Sequence, residues 1–219
     1  MRFLSEKAPA AHGDRNFLLP GQGWMLDYKD GDERKMKLEE KTLEQDYMYR
    51  GKIINLRRDL ALLENGKTSY REVVEHSGGV CVAALTQKKE LLFVRQFRYP
   101  YKKVLMELPA GKINPGENPL ECGKRELQEE TGAVGENYIS LGELYPSPGY
   151  CGEIIYLYLC TVSGMGRVNP DEDEFIEAEA VPLDKAVEMV LNNEIGDAKT
   201  QTAVLKTAAL LQHGKYEMK

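Results

Sequence analysis

The chain has no excess of positive charge: 29 Lys and Arg stand against 35 Asp and Glu, a net charge of -6 over 219 residues. Gripping nucleic acid through its phosphates needs a concentrated basic face. The pairs Arg57/Arg58, Lys88/Lys89 and Lys102/Lys103 are too short for that and read as solvated strand ends or turns. Cysteine is sparse as well. Cys81, Cys122, Cys151 and Cys160 lie far apart without a C-x-x-C spacing, and Cys81, Cys151 and Cys160 adjoin apolar runs, which predicts buried thiols in a reducing compartment. No apolar segment approaches the length of a membrane span, and MRFLSEKAPAAHG carries charges where a secretory signal needs an apolar stretch. A cytoplasmic protein without membrane or nucleic-acid partners is expected. His12, His76 and His213 stand outside every motif, so no catalytic part is assigned to them.

What is present is the composition of an ordinary globular protein, 42% hydrophobic and 29% charged, enough for one main domain with an appendage. The appendage is residues 1–40, where GDRNFLLPGQGW is turn-rich and DYKDGDERKMKLEEK almost wholly charged. Met25 and Met36 are alternative starts, so part of this stretch need not belong to the native protein.

From Tyr47 the pattern alternates, and Glu64-Asn65-Gly66-Lys67 breaks it with an Asn-Gly that suits a type I′ hairpin. Strands are predicted at 56–63, 70–76, 80–85, 91–97, 138–144 and 154–162. A helix is expected from the cap Asn118, with Pro119 first, to Thr131, and Gly132 ends it. Two more helices are expected over 183–192 and 197–213, the last capped by Asp197 and burying Val204, Ala208 and Leu211. The fold class is mixed α/β (α+β) with a mostly antiparallel sheet and no internal repeats.

Residues 111–132, GKINPGENPLECGKRELQEETG, form a turn-rich loop feeding a short acidic helix. Glu126 and Glu130 stack one turn apart with Glu129 beside them, so three carboxylates share one helical edge. Like charges at that spacing destabilise a helix by roughly 0.2–0.5 kcal/mol per pair, a penalty that a bound dication removes. Oxygen donors without histidine select a hard ion, Mg²⁺ or Mn²⁺, over zinc. Such an ion takes substrate phosphates as partners, which makes the edge sensible as a phosphate site. The bland alternative is a solvated acidic face.

The full spacing resembles the signature of the Nudix hydrolases at Gly111, Glu117, Arg125, Glu126, Leu127, Glu129, Glu130 and Gly132. Ala133 departs from it, since the family usually has a larger aliphatic residue there; this touches packing and no ligand. Pro148, 16 positions beyond Gly132, resembles the mark of the ADP-ribose pyrophosphatase subgroup, as do residues 94–100, 107–111, 172–177 and 197–200. The similarity spans about 47–211.

The resemblance implies a Nudix α/β/α sandwich over 77–214, preceded by strands at 41–76 that serve a homodimer. It implies Mg²⁺-dependent hydrolysis of ADP-ribose to AMP and ribose 5-phosphate, with a GDP-mannose or broader nucleotide-sugar pyrophosphatase and a non-catalytic ligand-binding module as rivals. Glu126, Glu130, Glu129 and the Ala110 carbonyl become the metal ligands, while Arg125 and Glu117 orient loop and helix. Arg71 and Arg98 match positions that contact diphosphate and terminal ribose, against the plainer reading of surface arginines; Glu107 matches a carboxylate beside the metals or substrate, and Glu153 one near the pyrophosphate, against the plainer reading of strand-end solvation. The general base falls to Glu172 or Glu174 in the acidic run 171–174, which otherwise reads as a solvated loop.

Overall fold

The computed structural model describes residues 37–169 and 175–216. Three strands, β1 (Lys41–Arg50), β2 (Ile54–Leu62) and β3 (Thr68–His76), form an antiparallel sheet in that order. All ten residues of β1 are exposed among the described residues. The hairpin joining β2 and β3 departs from the expected type I′ turn. Leu63 and Lys67 close a three-residue loop through Leu63 N–H to Lys67 O, and Gly66 N–H donates to Leu63 O. Gly66 has φ +78° while Asn65 does not have positive φ, which is a type I turn followed by a left-handed glycine. Asn65 instead accepts the Lys67 N–H with its side chain.

The second sheet has seven strands. β4 (Gly79–Leu85), β5 (Glu90–Arg98), β8 (Ala133–Leu144), β9 (Ile155–Met165) and β10 (Ile176–Pro182) run in the order β10-β5-β4-β9-β8, while β6 (Lys103–Glu107) pairs with β5 and β7 (Ala110–Lys112) with β4. β4 and β9 are parallel and the other pairs antiparallel. β4 is buried at every position, and its period-two alternation sorts the core. Val80, Val82 and Ala84 pack with Cys122 and Leu127 of α1 (Pro119–Thr131). Cys81, Ala83 and Leu85 face the other way, among Ala186 and Val190 of α2 (Leu183–Leu191) and Ala203 and Val204 of α3 (Ala198–Gln212). The expected α/β/α sandwich is therefore present.

Helix ends follow the sequence closely. Asn118 accepts from Leu120 N–H with Pro119 in the first turn, Gly132 ends α1 in the left-handed region, and Asp197 caps α3 by accepting from Thr200 N–H. The apolar stripe of α3 is centred on Thr200, Ala203, Val204 and Thr207, with Ala208 and Leu211 only partly buried. Cys81, Cys122 and Cys160 are buried, whereas Cys151 is half-buried, because it lies in a surface loop pinned to β3. Among the described residues no helix is long and apolar enough to cross a membrane. The expected appendage 1–40 lies outside the described residues except for its last four.

Candidate active site

The short β7 delivers the chain into the loop before α1. Gly116 turns it at φ +78°, Glu117 N–H donates to Asn114 O at 3.0 Å, and Asn114 N–H returns to Glu117 Oε2 at 2.9 Å. Arg125 then fastens loop to helix. Its guanidinium donates to both Glu117 oxygens at 2.9 and 3.0 Å, to Glu126 Oε1 at 2.7 Å and to Glu129 Oε2 at 2.9 Å. The hydrogen bonds from Arg125 hold the Glu117 carboxyl down at about 2, and the same contacts raise Arg125, so both stay ionised.

The acidic edge of α1 is pressed against β7. Glu126 and Glu130 are buried, and Glu129 lies at the margin. Glu130 Oε2 accepts the Ala110 N–H at 3.0 Å. A Cβ on Gly111 would sit 2.0 Å from Glu126 Cδ, so only glycine lets the strand and this carboxylate coexist. Residues 110 and 111 thus meet Glu130 and Glu126 in turn, as the helical spacing of the two acids demands.

A second cluster adjoins Glu130. Glu107, 1% exposed, accepts from Arg98 Nε and Nη2 at 2.7 Å each and from Lys199 Nζ at 2.5 Å. Lys199 also reaches Asp197 Oδ1 at 3.0 Å. Burial alone would raise the Glu107 carboxyl, yet the bonds and charges of Arg98 and Lys199 overrule it and hold the group at about 2. Burial would likewise lower Lys199, but Asp197 and Glu107 keep it raised. Arg98 feels Glu130 as well as Glu107 and Asp197, so the two clusters form one electrostatic neighbourhood.

The remaining expected residues fall in three places. Glu153, just before β9, lies 3.3 Å from His76 Nδ1 and close to Gly79, whose hypothetical Cβ would be 3.2 Å from Gly111 O and 3.6 Å from Glu153 Oε1. That puts it at the β4–β7 end of the site. Pro148 sits in a loop turned on Ser147 O and clasped to β3 by Val74 N–H to Tyr150 O and Gly152 N–H to Val74 O. Arg71 belongs to the three-stranded sheet, its guanidinium forked on Glu40 at 2.8 and 2.6 Å, and it is not brought to the acidic edge by any contact of this chain described here. Glu172 and Glu174 lie outside the described residues. Asn169, the last described residue before them, donates its N–H to Glu129 O at 3.0 Å.

Among the described residues no three His, Cys, Asp or Glu side chains converge into a closed metal cage. Mg²⁺ does not require one, since it keeps waters and takes one or two carboxylates together with substrate phosphates. The donor set fits that habit: two buried carboxylates with Glu129 beside them and the glycine cradle at 111. Cys122, the thiol inside this segment, is pushed up to about 12 by burial, so it offers no thiolate to a softer metal.

Buried hard-oxygen donors beside a loop locked to its helix by arginine are a donor set suited to a divalent cation and a phosphate, as in enzymes that act on phosphoanhydrides. The chain belongs to the Nudix family: residues 75–202 match the NUDIX domain, and it is a Nudix hydrolase. It is 39% identical to the ADP-ribose pyrophosphatase of Bacillus subtilis (strain 168) over 76% of this chain and 91% of that protein. It is 38% identical to the methanol dehydrogenase activator of Bacillus methanolicus over 80% and 97% of the two chains, and 32% identical to the GDP-mannose pyrophosphatase of Yersinia enterocolitica over 64% and 79%. The resemblance carried by the 22-residue motif is thereby borne out.

Lys199, which the sequence does not single out, lies within the family-like stretch Asp197-Ala198-Lys199-Thr200 and joins the Glu107 cluster. The available signal was a lysine in the first turn of a helix, where the macrodipole disfavours a cation.

Proposed function

We propose that the protein hydrolyses the pyrophosphate bond of nucleoside diphosphate sugars, with ADP-ribose foremost, giving AMP and ribose 5-phosphate. The observation that carries the reading is the pair of buried carboxylates, Glu126 and Glu130, docked on Gly111 and Ala110 within an intact motif. ADP-ribose is favoured by Pro148 at its characteristic spacing and by the relative named ADP-ribose pyrophosphatase, which is matched over 91% of its length. The relative named GDP-mannose pyrophosphatase supports a second reading with a different sugar nucleotide. Intact acidic residues argue against a purely ligand-binding module.

In this reading Glu126, Glu130, Glu129 and the Ala110 carbonyl hold Mg²⁺, with Mn²⁺ as a substitute. When bound, the cation neutralises diphosphate charge and makes a water more acidic. Arg98 offers its guanidinium to phosphate oxygens. Glu172 or Glu174 of the acidic run accepts the proton of the attacking water on a carboxylate oxygen. Arg71 lies in the three-stranded sheet and would serve the site of a second copy, the chain working as a homodimer through β1–β3. Four free cysteines fit a reducing, cytoplasmic setting.

A panel of ADP-ribose, GDP-mannose and other nucleotide sugars, incubated with Mg²⁺ and resolved by chromatography, tests the assignment. AMP release from ADP-ribose is expected. Cleavage of another sugar nucleotide with ADP-ribose left intact would reject the substrate. Glu130→Gln keeps an acceptor for Ala110 N–H while removing a charge, so turnover should fall by about 10² or more with an unchanged circular dichroism spectrum; normal turnover would refute the ligand assignment.

A further inference from the structure

We propose that Lys199 is a positioning residue for substrate: seated between Asp197 and Glu107 at the first turn of α3, it sets the Glu107 carboxylate that aims the Arg98 guanidinium. The inference rests on reading the site as one that binds a diphosphate.

Three costs oppose a lysine at this place. Burying an ammonium is expensive, the helix dipole repels it there, and a buried ion pair is often replaceable by apolar residues without loss of stability. Scaffolding alone does not call for it. Its ammonium shares Glu107 Oε2 with Arg98 Nη2, at 2.5 and 2.7 Å, while Arg98 Nε takes Oε1 at 2.7 Å. Because guanidinium is planar, a fork made by Nε and Nη2 leaves Nη1 on the edge turned away from Glu107, available to an anion.

Charge supplies the second half of the argument. Asp197, Glu107, Arg98 and Lys199 form a neutral set beside the anionic Glu130. Removing the lysine leaves that set with one net negative charge, which tightens the hold of Glu107 on Arg98 and draws the guanidinium away from an incoming anion. The neighbouring Thr200 completes the device. Its hydroxyl accepts Leu108 N–H at 3.0 Å and donates to Asp197 Oδ2 at 2.6 Å, and Val82 N–H binds Pro109 O at 2.9 Å. With Ala110 N–H on Glu130, each residue from Glu107 to Ala110 is tied, so the start of α3 and the acidic edge of α1 bracket one rigid strap.

The test is a double-mutant cycle read by calorimetry with α,β-methylene-ADP in Mg²⁺ buffer, a diphosphate that lacks the cleavable bridge. Full-length wild type, Lys199→Met, Arg98→Ala and the double variant are titrated, and each is melted to establish folding. Lys199→Met should weaken binding about tenfold in the presence of Arg98 and by less than about twofold in the Arg98→Ala chain. A lysine acting only as scaffold would weaken both equally. If Lys199→Met fails to melt cooperatively, Lys199→Gln, which keeps a donor for Glu107 and loses the charge, takes its place in the cycle. Equal weakening in both backgrounds, or none, overturns the role of Lys199 while leaving the hydrolase reading intact. A wild type that neither binds the analogue nor cleaves any nucleotide sugar overturns both.

Discussion

At the scale of single residues, Gly111 and Glu107 show how tightly the site is specified. At Gly111 the obstacle to a Cβ is the carboxylate of Glu126, at 2.0 Å from its Cδ. A side-chain end can swing away where a backbone cannot, so Gly111→Ala should lower stability by only about 1–3 kcal/mol. Displacing a ligand carboxylate by an ångström is far more serious for chemistry, and turnover should fall on the order of 10²-fold. Melting and steady-state rates on the same preparation check the split; a large loss of stability with normal rates would contradict it. Glu107 makes the converse case. Its carboxyl is held at about 2 against an ordinary 4.5, so the folded state binds its proton more weakly than the unfolded state does. The resulting stabilisation is complete above pH about 4.5 and is lost as pH falls toward 2. Glu107→Gln leaves Lys199 and Arg98 without their anion and should cost about 3–5 kcal/mol near neutrality. Because that variant cannot lose what it lacks, the gap between the two melting temperatures should narrow as pH drops from 4.5 to 2.

At the scale of elements, α1 is defined at both ends by residues visible in the sequence, and its far end is a test of that definition. Gly132 has φ +73°, and a Cβ there would lie 2.9 Å from Gly166 O. Here the obstacle is backbone. Gly132→Ala should destabilise by about 2 kcal/mol or more, measured by denaturant unfolding; a loss below 1 kcal/mol would show that the 164–169 segment yields easily. Legibility followed the strength of local signals. Asn118, Pro119, Gly132 and Asp197 announce helix ends because capping is local chemistry, and the motif of 111–132 announced its own carboxylates. β6, β7 and β10 escaped notice, and β1 and β8 begin before the expected points. β7 is three residues long with a glycine at its centre, and β10, IEAEAVP, is an edge strand with Glu177 exposed and Glu179 half-buried. Such strands exist because a long neighbour, β4 or β5, supplies hydrogen bonds and a buried face, which no window of their own sequence records. The Glu107–Arg98–Lys199 cluster was half legible for the same reason: its members come from β6, β5 and α3, and only folding sets Lys199 beside Glu107.

At the scale of the whole molecule, the three-stranded sheet poses the remaining question of what covers β1. Met48 and Tyr49 on β1 are 59% and 58% exposed, and Tyr70 on β3 is 59% exposed. Neighbouring polar groups are already satisfied within the sheet: Arg57 bonds Asp59 and Glu75, and Tyr47 donates to Glu75 at 3.2 Å. What is left for a partner therefore includes apolar area at Leu43, Met48, Tyr49 and Tyr70 and an open strand edge, both of which a protein in water tends to hide. In the proposed homodimer a second copy would meet the requirement by two-fold symmetry, each sheet covering the other, and would also carry Arg71 toward a neighbouring site. Light scattering should then give twice the 24.7 kDa of one chain. Met48→Glu adds a charge where the single chain is solvated, so the folding of each chain should be nearly unaffected, within about 0.5 kcal/mol. The same charge would be buried between two copies, where an unpaired ion costs several kcal/mol, so the variant should scatter as one chain and lose most of its ADP-ribose hydrolysis. A variant that stayed double in mass, or one that became single with full activity, would separate the sheet from assembly in the first case and from catalysis in the second.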